Sequence, residues 1–167
     1  MNTQNLETKF IFLPKNIEIY KKNHSLLLKT NFGFVNLIIP SNLNIYRKNS
    51  FIYVESLPND KKGKTWFFIF KNLLNGFSRQ YLNRLILKGV GYKAFLTKNN
   101  IELKIGYSHS INYPINNSIT VNIFKNSIIQ INSPFKDNLG LVSSSLRSLK
   151  KVDIYKGKGI LYKREKL

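Results

Sequence analysis

The feature that most constrains this chain is that it repeats itself. The stretch "KNSFIYVESLPND", Lys48 to Asp60, returns as "KNSIIQINSPFKD", Lys125 to Asp137, at a shift of 77 residues. Upstream, "KKNHSLLLK" (Lys21 to Lys29) resembles "TKNNIELKI" (Thr97 to Ile105) at a shift of 76. Each copy then runs into a helical pattern. Solenoid repeats have periods of roughly 20–50 residues, so this longer spacing points to a duplicated small domain. The competing explanation is that hairpins from an Asn/Lys/Ile-rich chain look alike. Order and spacing persist over several elements, which favours duplication. The join is expected near Leu82, giving an N-terminal domain over 1–82 and a C-terminal domain over 83–167.

Within each half, period-two alternation of β-branched and aromatic residues predicts strands. In the first half they fall near "IEIY", "SLLLKT", "FGFVNLII", "LNIY" and "FIYVE". In the second they fall near "RLILKGVGYKAFL", "IELKIGY", "SINYPI", "ITVNIF" and "IIQIN". Asn-containing turns such as "KKNHS" and "TKNN" suit hairpins, because Asn tolerates a positive φ. One helix is expected from Trp66 to Tyr81, on the stripe Trp66, Phe70, Leu73, Phe77 and Tyr81. A second is expected from Asn138 to Leu149, with Asp137 as N-cap, the stripe Leu139, Val142, Leu146 and Leu149, and its serines outward. The fold class is therefore α+β: two tandem homologous domains, each an antiparallel sheet with one helix on one face.

Charge narrows the partner. Lys and Arg number 27 against 8 Asp and Glu, a formal net charge of +19. Halves of this size bury only about 60 % of their unfolded surface, so an anionic partner would both neutralise and stabilise the chain. Nucleic acid is the first candidate; an anionic membrane surface or an acidic protein is the alternative. No apolar run approaches the roughly 20 residues of a membrane span. A membrane-surface binder would need a basic amphipathic helix, whereas the basic residues here concentrate in turns and the tail. The N-terminus "MNTQNLETKFIFLP" reads as neither signal nor transit peptide.

Catalysis finds little to work with. Cysteine is absent, the two histidines are His24 and His109, and the eight acids are scattered. "GKT" at Gly63 to Thr65 ends like a phosphate-binding loop, but that loop needs a Gly where Pro58 stands. No enzyme activity, cofactor, metal or small-molecule substrate is expected.

Glycine and lysine alternate in two places. In "LKGVGYKA", read as strand, Gly89 and Gly91 leave same-face positions bare, flanked by Lys88, Tyr92 and Lys93. In "YKGKG", Gly157 and Gly159 free the backbone beside Lys156 and Lys158, with Tyr155 able to stack. Such stretches suit a folded phosphate backbone; bulge glycines and a plain basic turn are the structural alternatives. From Arg147 to Leu167 eight basic residues face two acids, counting Lys150, Lys151, Lys163, Arg164 and Lys166.

"LKGVGYKA", then "LKIGYSHSINYPI", then "YKGKGI" resemble, in order and approximate spacing, the universally occurring two-domain family of large-subunit ribosomal protein six. The resemblance runs almost the whole chain and is densest in the second half. It departs at "KTWFFIF" and at Val152. It implies a structural subunit binding large-subunit rRNA mainly through the C-terminal domain, near the sarcin–ricin loop and stalk base, beside neighbouring ribosomal proteins. Carried over position by position, the rRNA contacts would be Lys88, Gly89, Gly91, Tyr92, Lys93, Ser108, His109, Tyr155, Lys156, Gly157, Lys158 and Gly159. Charge adds Arg147, Lys150, Lys151, Lys163 and Arg164. Finally, Asn and Lys occur 22 times each and Ile 20 times, while Ala occurs once. These are residues of A/T-rich codons, so an organelle genome, expected to be mitochondrial, or an A/T-rich bacterium is the anticipated source.

Overall fold

A computed structural model describes residues 7–57, 60–153 and 155–165. Lys166, Ile154 of the "DIYKGKG" motif, Pro58 and the first six residues of the supposed leaderless N-terminus lie outside them. The chain divides into two compact units, Met1–Arg79 and Gln80–Leu167.

The first unit contains β1 (Glu7–Phe12), β2 (Glu18–Lys22), β3 (Ser25–Thr30), β4 (Gly33–Ile38), β5 (Asn44–Lys48), β6 (Phe51–Ser56) and α1 (Lys61–Ser78). The second contains β7 (Tyr81–Lys88), β8 (Lys93–Leu96), β9 (Asn100–Lys104), β10 (Ile111–Pro114), β11 (Thr120–Phe124), β12 (Ile128–Ser133), α2 (Lys136–Ser148) and β13 (Gly159–Tyr162). The sheets of the first unit run β1-β6-β5 and β2-β3-β4; those of the second run β11-β12-β7-β13 and β10-β9-β8. All pairings are antiparallel. Six strands and a helix therefore recur in the same order with the same neighbours, and β13 is the addition. The expected α+β plan holds, with two sheets per unit rather than one.

The repeat has a local cause. The shared "KNS" is the β5–β6 turn in one unit and the β11–β12 turn in the other. Asn49 and Asn126 occupy the left-handed region at φ 54° and 53°, where a short polar side chain is tolerated better than most. Inward residues then alternate: Ile52, Val54 and Ser56 on β6, Ile129, Ile131 and Ser133 on β12, all buried.

Both helices start earlier than the apolar stripes suggested. α1 begins at Lys61 because the Asp60 carboxylate accepts from the Lys62 N–H at 3.0 Å, satisfying a donor that the helix start leaves open. Its first turn is mostly charged and carries no stripe to read. Gly63 brings that turn close to the sheet: a Cβ there would stand 3.0 Å from that of Ser56. The helix ends at Ser78, and Tyr81 is the first residue of β7, packed against the second unit's core. α2 begins at Lys136 with Phe135 as N-cap. Asp137 lies in the first turn instead, where its charge complements the helix dipole. The serines of α2 do not all face outward: Ser144 and Ser148 are exposed, but Ser143 and Ser145 are not. Ser143 is buried, donating to the Leu139 carbonyl at 2.6 Å and accepting from Asn83 Nδ2 at 3.0 Å. Ser145 meets the Tyr113 hydroxyl at 2.6 Å. Small side chains thus let the helix approach β7 closely, and the Tyr113 hydroxyl reaches it from β10.

Leu85, Ile101, Leu103, Ile129, Ile131, Leu146 and Ile160 form the wholly buried centre of the second unit. Phe70, Leu26, Leu28, Ile52 and Leu74 do so in the first.

Candidate nucleic-acid interface

The basic, glycine-bearing stretches of the second unit converge through the β7–β13 pairing. Its register sets Lys88 opposite Gly159, Leu87 opposite Ile160 and Ile86 opposite Leu161. The residues that leave β7, 89–92, therefore lie beside those that enter β13, 155–158. The strand reading of "KGVGYK" is corrected: β7 stops at Lys88 and β8 starts at Lys93. The four residues between turn, with Gly91 at φ 76°. Val90 stands at the tip, 91 % exposed.

Tyr92 fastens a third loop to these two. Its half-buried ring lies over two glycines: a Cβ on Gly89 would come within 2.7 Å of it, and one on Gly106 within 3.1 Å. That seats the β9–β10 loop, with exposed Ser108 and His109 joined at 3.3 Å, next to the β7–β8 turn. Tyr107 ties the same loop to the end of α2. Its hydroxyl donates to the Leu149 carbonyl at 2.9 Å, and Lys150 Nζ lies 4.4 Å from the ring centroid, a cation–π contact.

The loop that enters β13 is shaped by Asp153. Its carboxylate accepts from the N–H groups of Tyr155 at 2.9 Å and Lys156 at 3.2 Å. Its backbone donates to the Lys158 carbonyl at 2.9 Å and accepts from Gly157 at 2.7 Å. The lysines thus sit on a closed turn rather than a loose tail, which holds Lys156 and Lys158 exposed and Tyr155 99 % exposed.

The glycines do not all do the same thing. Gly159 is buried, and a Cβ on it would stand 2.7 Å from the Val152 Cα and 2.8 Å from the Lys151 carbonyl oxygen. Its bare face is taken up by the protein's own backbone, which positions exposed Lys151. Gly91 is exposed with nothing within 4 Å of an added Cβ.

Lys88, Gly89, Gly91, Tyr92, Lys93, Ser108, His109, Lys150, Lys151, Tyr155, Lys156, Gly157, Lys158 and Gly159 therefore belong to one cluster of loops. Arg147, Lys163 and Arg164 belong elsewhere. Lys163 follows β13 at its far end, its N–H donating to the Arg84 carbonyl at 2.9 Å. Lys163 and Arg164 line a groove of about 760 Å³ with Arg84, Lys136, Gly140 and Glu165. Arg147 is engaged by Glu165 at 2.8 Å and lies 5.6 Å from the Tyr162 ring centroid. Sequence reasoning missed Val90, Tyr107 and Asp153. An Asp ahead of a Gly-containing turn was the available signal for Asp153; nothing local marked the other two.

The family described as "Ribosomal protein L6" matches residues 88–163, the span that holds these loops. Among curated relatives, "Large ribosomal subunit protein uL6c" of Phaeodactylum tricornutum is 34 % identical over 161 residues, covering 94 % of this chain and 90 % of its own length. "Large ribosomal subunit protein uL6m" of Reclinomonas americana is 34 % identical over 175 residues, covering 93 % and 90 %. "Large ribosomal subunit protein uL6" of Karelsulcia muelleri is 33 % identical over 160 residues, covering 91 % and 88 %.

Proposed function

Since the chain belongs to the ribosomal protein L6 family, we propose that it is a structural constituent of the large ribosomal subunit and holds rRNA through its second unit. The family is not an enzyme family. One observation carries the reading. Three loops from separate parts of the sequence, with the segment that follows α2, are fastened together by Tyr92, Tyr107 and the Lys88–Gly159 pairing, and they carry exposed lysines and an exposed tyrosine. Such a surface reads phosphates and 2′-hydroxyls by shape. Tyr155 and Val90, nearly free of protein contact, suit unstacked bases at its centre.

The finer placement we propose, which the family likeness supports, is rRNA near the sarcin–ricin loop and the stalk base, with neighbouring large-subunit proteins alongside. An organelle ribosome, mitochondrial by the A/T-rich residue usage, is the proposed setting. The membrane-surface alternative has weaker support. Among the described residues no helix is long and apolar enough to cross a membrane, and the exposed lysines of the second unit's loop cluster, Lys88, Lys93, Lys151, Lys156 and Lys158, lie outside its helix.

The test is binding of the full chain to a large-subunit rRNA fragment carrying the sarcin–ricin loop, with hydroxyl-radical footprinting. Replacing Lys156 and Lys158 with Ala should reduce the salt slope by about 2 and erase protection at one backbone segment. Unchanged affinity and footprint would refute the assignment of this loop. Equal binding to anionic vesicles and to rRNA would favour the membrane-surface reading.

A further inference from the structure

The two units differ at one sheet edge, and that difference identifies a second contact surface. In the second unit, Leu87 donates to the Ser127 carbonyl at 2.8 Å. Alternate residues of an antiparallel strand bond to the same side, so Leu85 and Leu87 serve β12 while Arg84, Ile86 and Lys88 turn their backbone groups the other way. β13 takes those groups, with Lys163 donating to the Arg84 carbonyl at 2.9 Å.

In the first unit, Leu13 donates to the Ser50 carbonyl at 2.8 Å, the counterpart of the Leu87 bond. By the same alternation Lys9 and Ile11 serve β6, and Phe10 and Phe12 turn their N–H and C=O groups outward. Among the described residues no strand lies on that side: β1 is an edge. Unpaired edges invite another chain unless they are blunted, and β1 carries no Pro or bulge to do so.

The side chains beside this edge match. Phe10, Tyr53 and Tyr46 form a row across β1, β6 and β5 on the face away from α1, and Phe12 and Phe51 lie in the next row. Phe10 is 65 % and Phe12 56 % exposed. The rings touch one another, Tyr46 stacking on Tyr53 at 5.3 Å and Phe12 meeting Phe51 edge-on at 5.7 Å. The corresponding row of the second unit is polar: Arg84, Gln130 and Asn122, with Arg84 Nε donating to Gln130 at 3.0 Å. The aromatic face is also nearly neutral in a chain of net charge +19, carrying Lys48 at one end and Glu55 at the other. A phosphate backbone would find no cluster of cations there.

We propose that the β1 edge receives an extended segment of a neighbouring polypeptide, added antiparallel to β1 as β13 is added to β7, with apolar side chains against Phe10 and Phe12. β13 itself, "GILY", is the template for its chemistry: four residues, no charge, aliphatic in the middle. Main-chain bonds supply the hold and alternate side chains the selectivity. The inference rests on assembly into the large subunit but not on which loops touch rRNA.

The test uses large-subunit particles purified with the full chain carrying Phe12→p-benzoylphenylalanine. Illumination should give one cross-link, to a single segment of one neighbouring polypeptide. Amide exchange at Phe10 and Phe12 should slow by about 100-fold or more on going from free chain to particle. Phe10→Pro removes an N–H that β6 does not use, so β1 should still pair with β6, while cross-link yield falls about ten-fold. If that variant unfolds, Phe10→Thr with Phe51→Thr, which keeps the edge and the cross-linker at position 12 and removes the two rings beside it, should lower the yield in its place. A cross-link to rRNA or to a second copy of the chain, or unprotected amides in the particle, overturns the proposal alone. Absence of the chain from the particles overturns the assembly reading and this proposal with it.

Discussion

The two units share six strands, a helix and their pairing order, yet they present different surfaces. The amount of charge does not separate them: the first unit carries twelve basic and four acidic residues, the second fifteen and four. Arrangement does. The second unit holds six of the nine glycines, and its lysines stand on loops pinned to one another. The first unit holds most of its cations on strands and on α1, and it puts aromatic rings on its outer sheet face. Duplication supplied the scaffold twice; the loops and one added strand decide what each copy touches.

The largest test of this contrast is the salt dependence of rRNA binding. With about 6–10 phosphates neutralised, affinity should fall roughly 10³–10⁵-fold between 50 and 200 mM salt. Replacing Lys88, Lys93, Lys156 and Lys158 with Ala should lower the slope by about 4. The same change at Lys15, Lys22, Lys48 and Lys62 should leave it nearly intact. Equal losses, read by filter binding across a salt series, would erase the distinction between the units.

Next comes a core change confined to the first unit. Phe70 is wholly buried, and Phe70→Ala should cost about 3–5 kcal/mol. Amide exchange should accelerate throughout the first unit's strands and leave β7 and β12 protected. A slightly smaller effect belongs to Gly159→Ala. Its Cβ would collide with the Val152 backbone at a φ of 147°, which should destabilise the second unit by about 2–4 kcal/mol and weaken rRNA binding by displacing the 153–158 loop. Gly91→Ala, meeting nothing within 4 Å, should cost less stability, which calorimetry on both variants would check.

The helix starts give a finer contrast. Asp60→Ala removes a side-chain cap and should cost about 1 kcal/mol, whereas Asp137→Ala loses only a dipole interaction, about 0.3–1 kcal/mol. At the bottom of the scale, Gly140→Ala fills open space in α2 and should raise stability by about 0.5–1 kcal/mol, seen as a higher midpoint in urea.

Much of this was legible in the chain, for identifiable reasons. The "KNS" turns announced the duplication because Asn49 and Asn126 occupy the same uncommon backbone region. Alternation revealed most strands because one face of each is buried. It failed at β1, where Lys9, Phe10, Ile11 and Phe12 leave no clean polar–apolar alternation, and at β13, whose middle residues are buried on both faces. It also merged β7 and β8 through "KGVGYK", since two glycines at i and i+2 fit a bare strand face as well as a turn. The helix starts were missed because capping residues carry no apolar stripe. The lysines of the interface were legible from charge. The ties that gather them, Tyr107 to Leu149 and Tyr92 over Gly106, span distances in sequence that no local pattern encodes.

The position of β13 bears on how such a chain is made. Ile160 and Leu161, wholly buried, leave the exit tunnel after every other described strand of the second unit. Until they arrive, β7 has one naked side and the second core lacks part of its wall. A message cut short before codon 159 would therefore yield a product whose first half can mature while its second half stays ajar, prey to proteases.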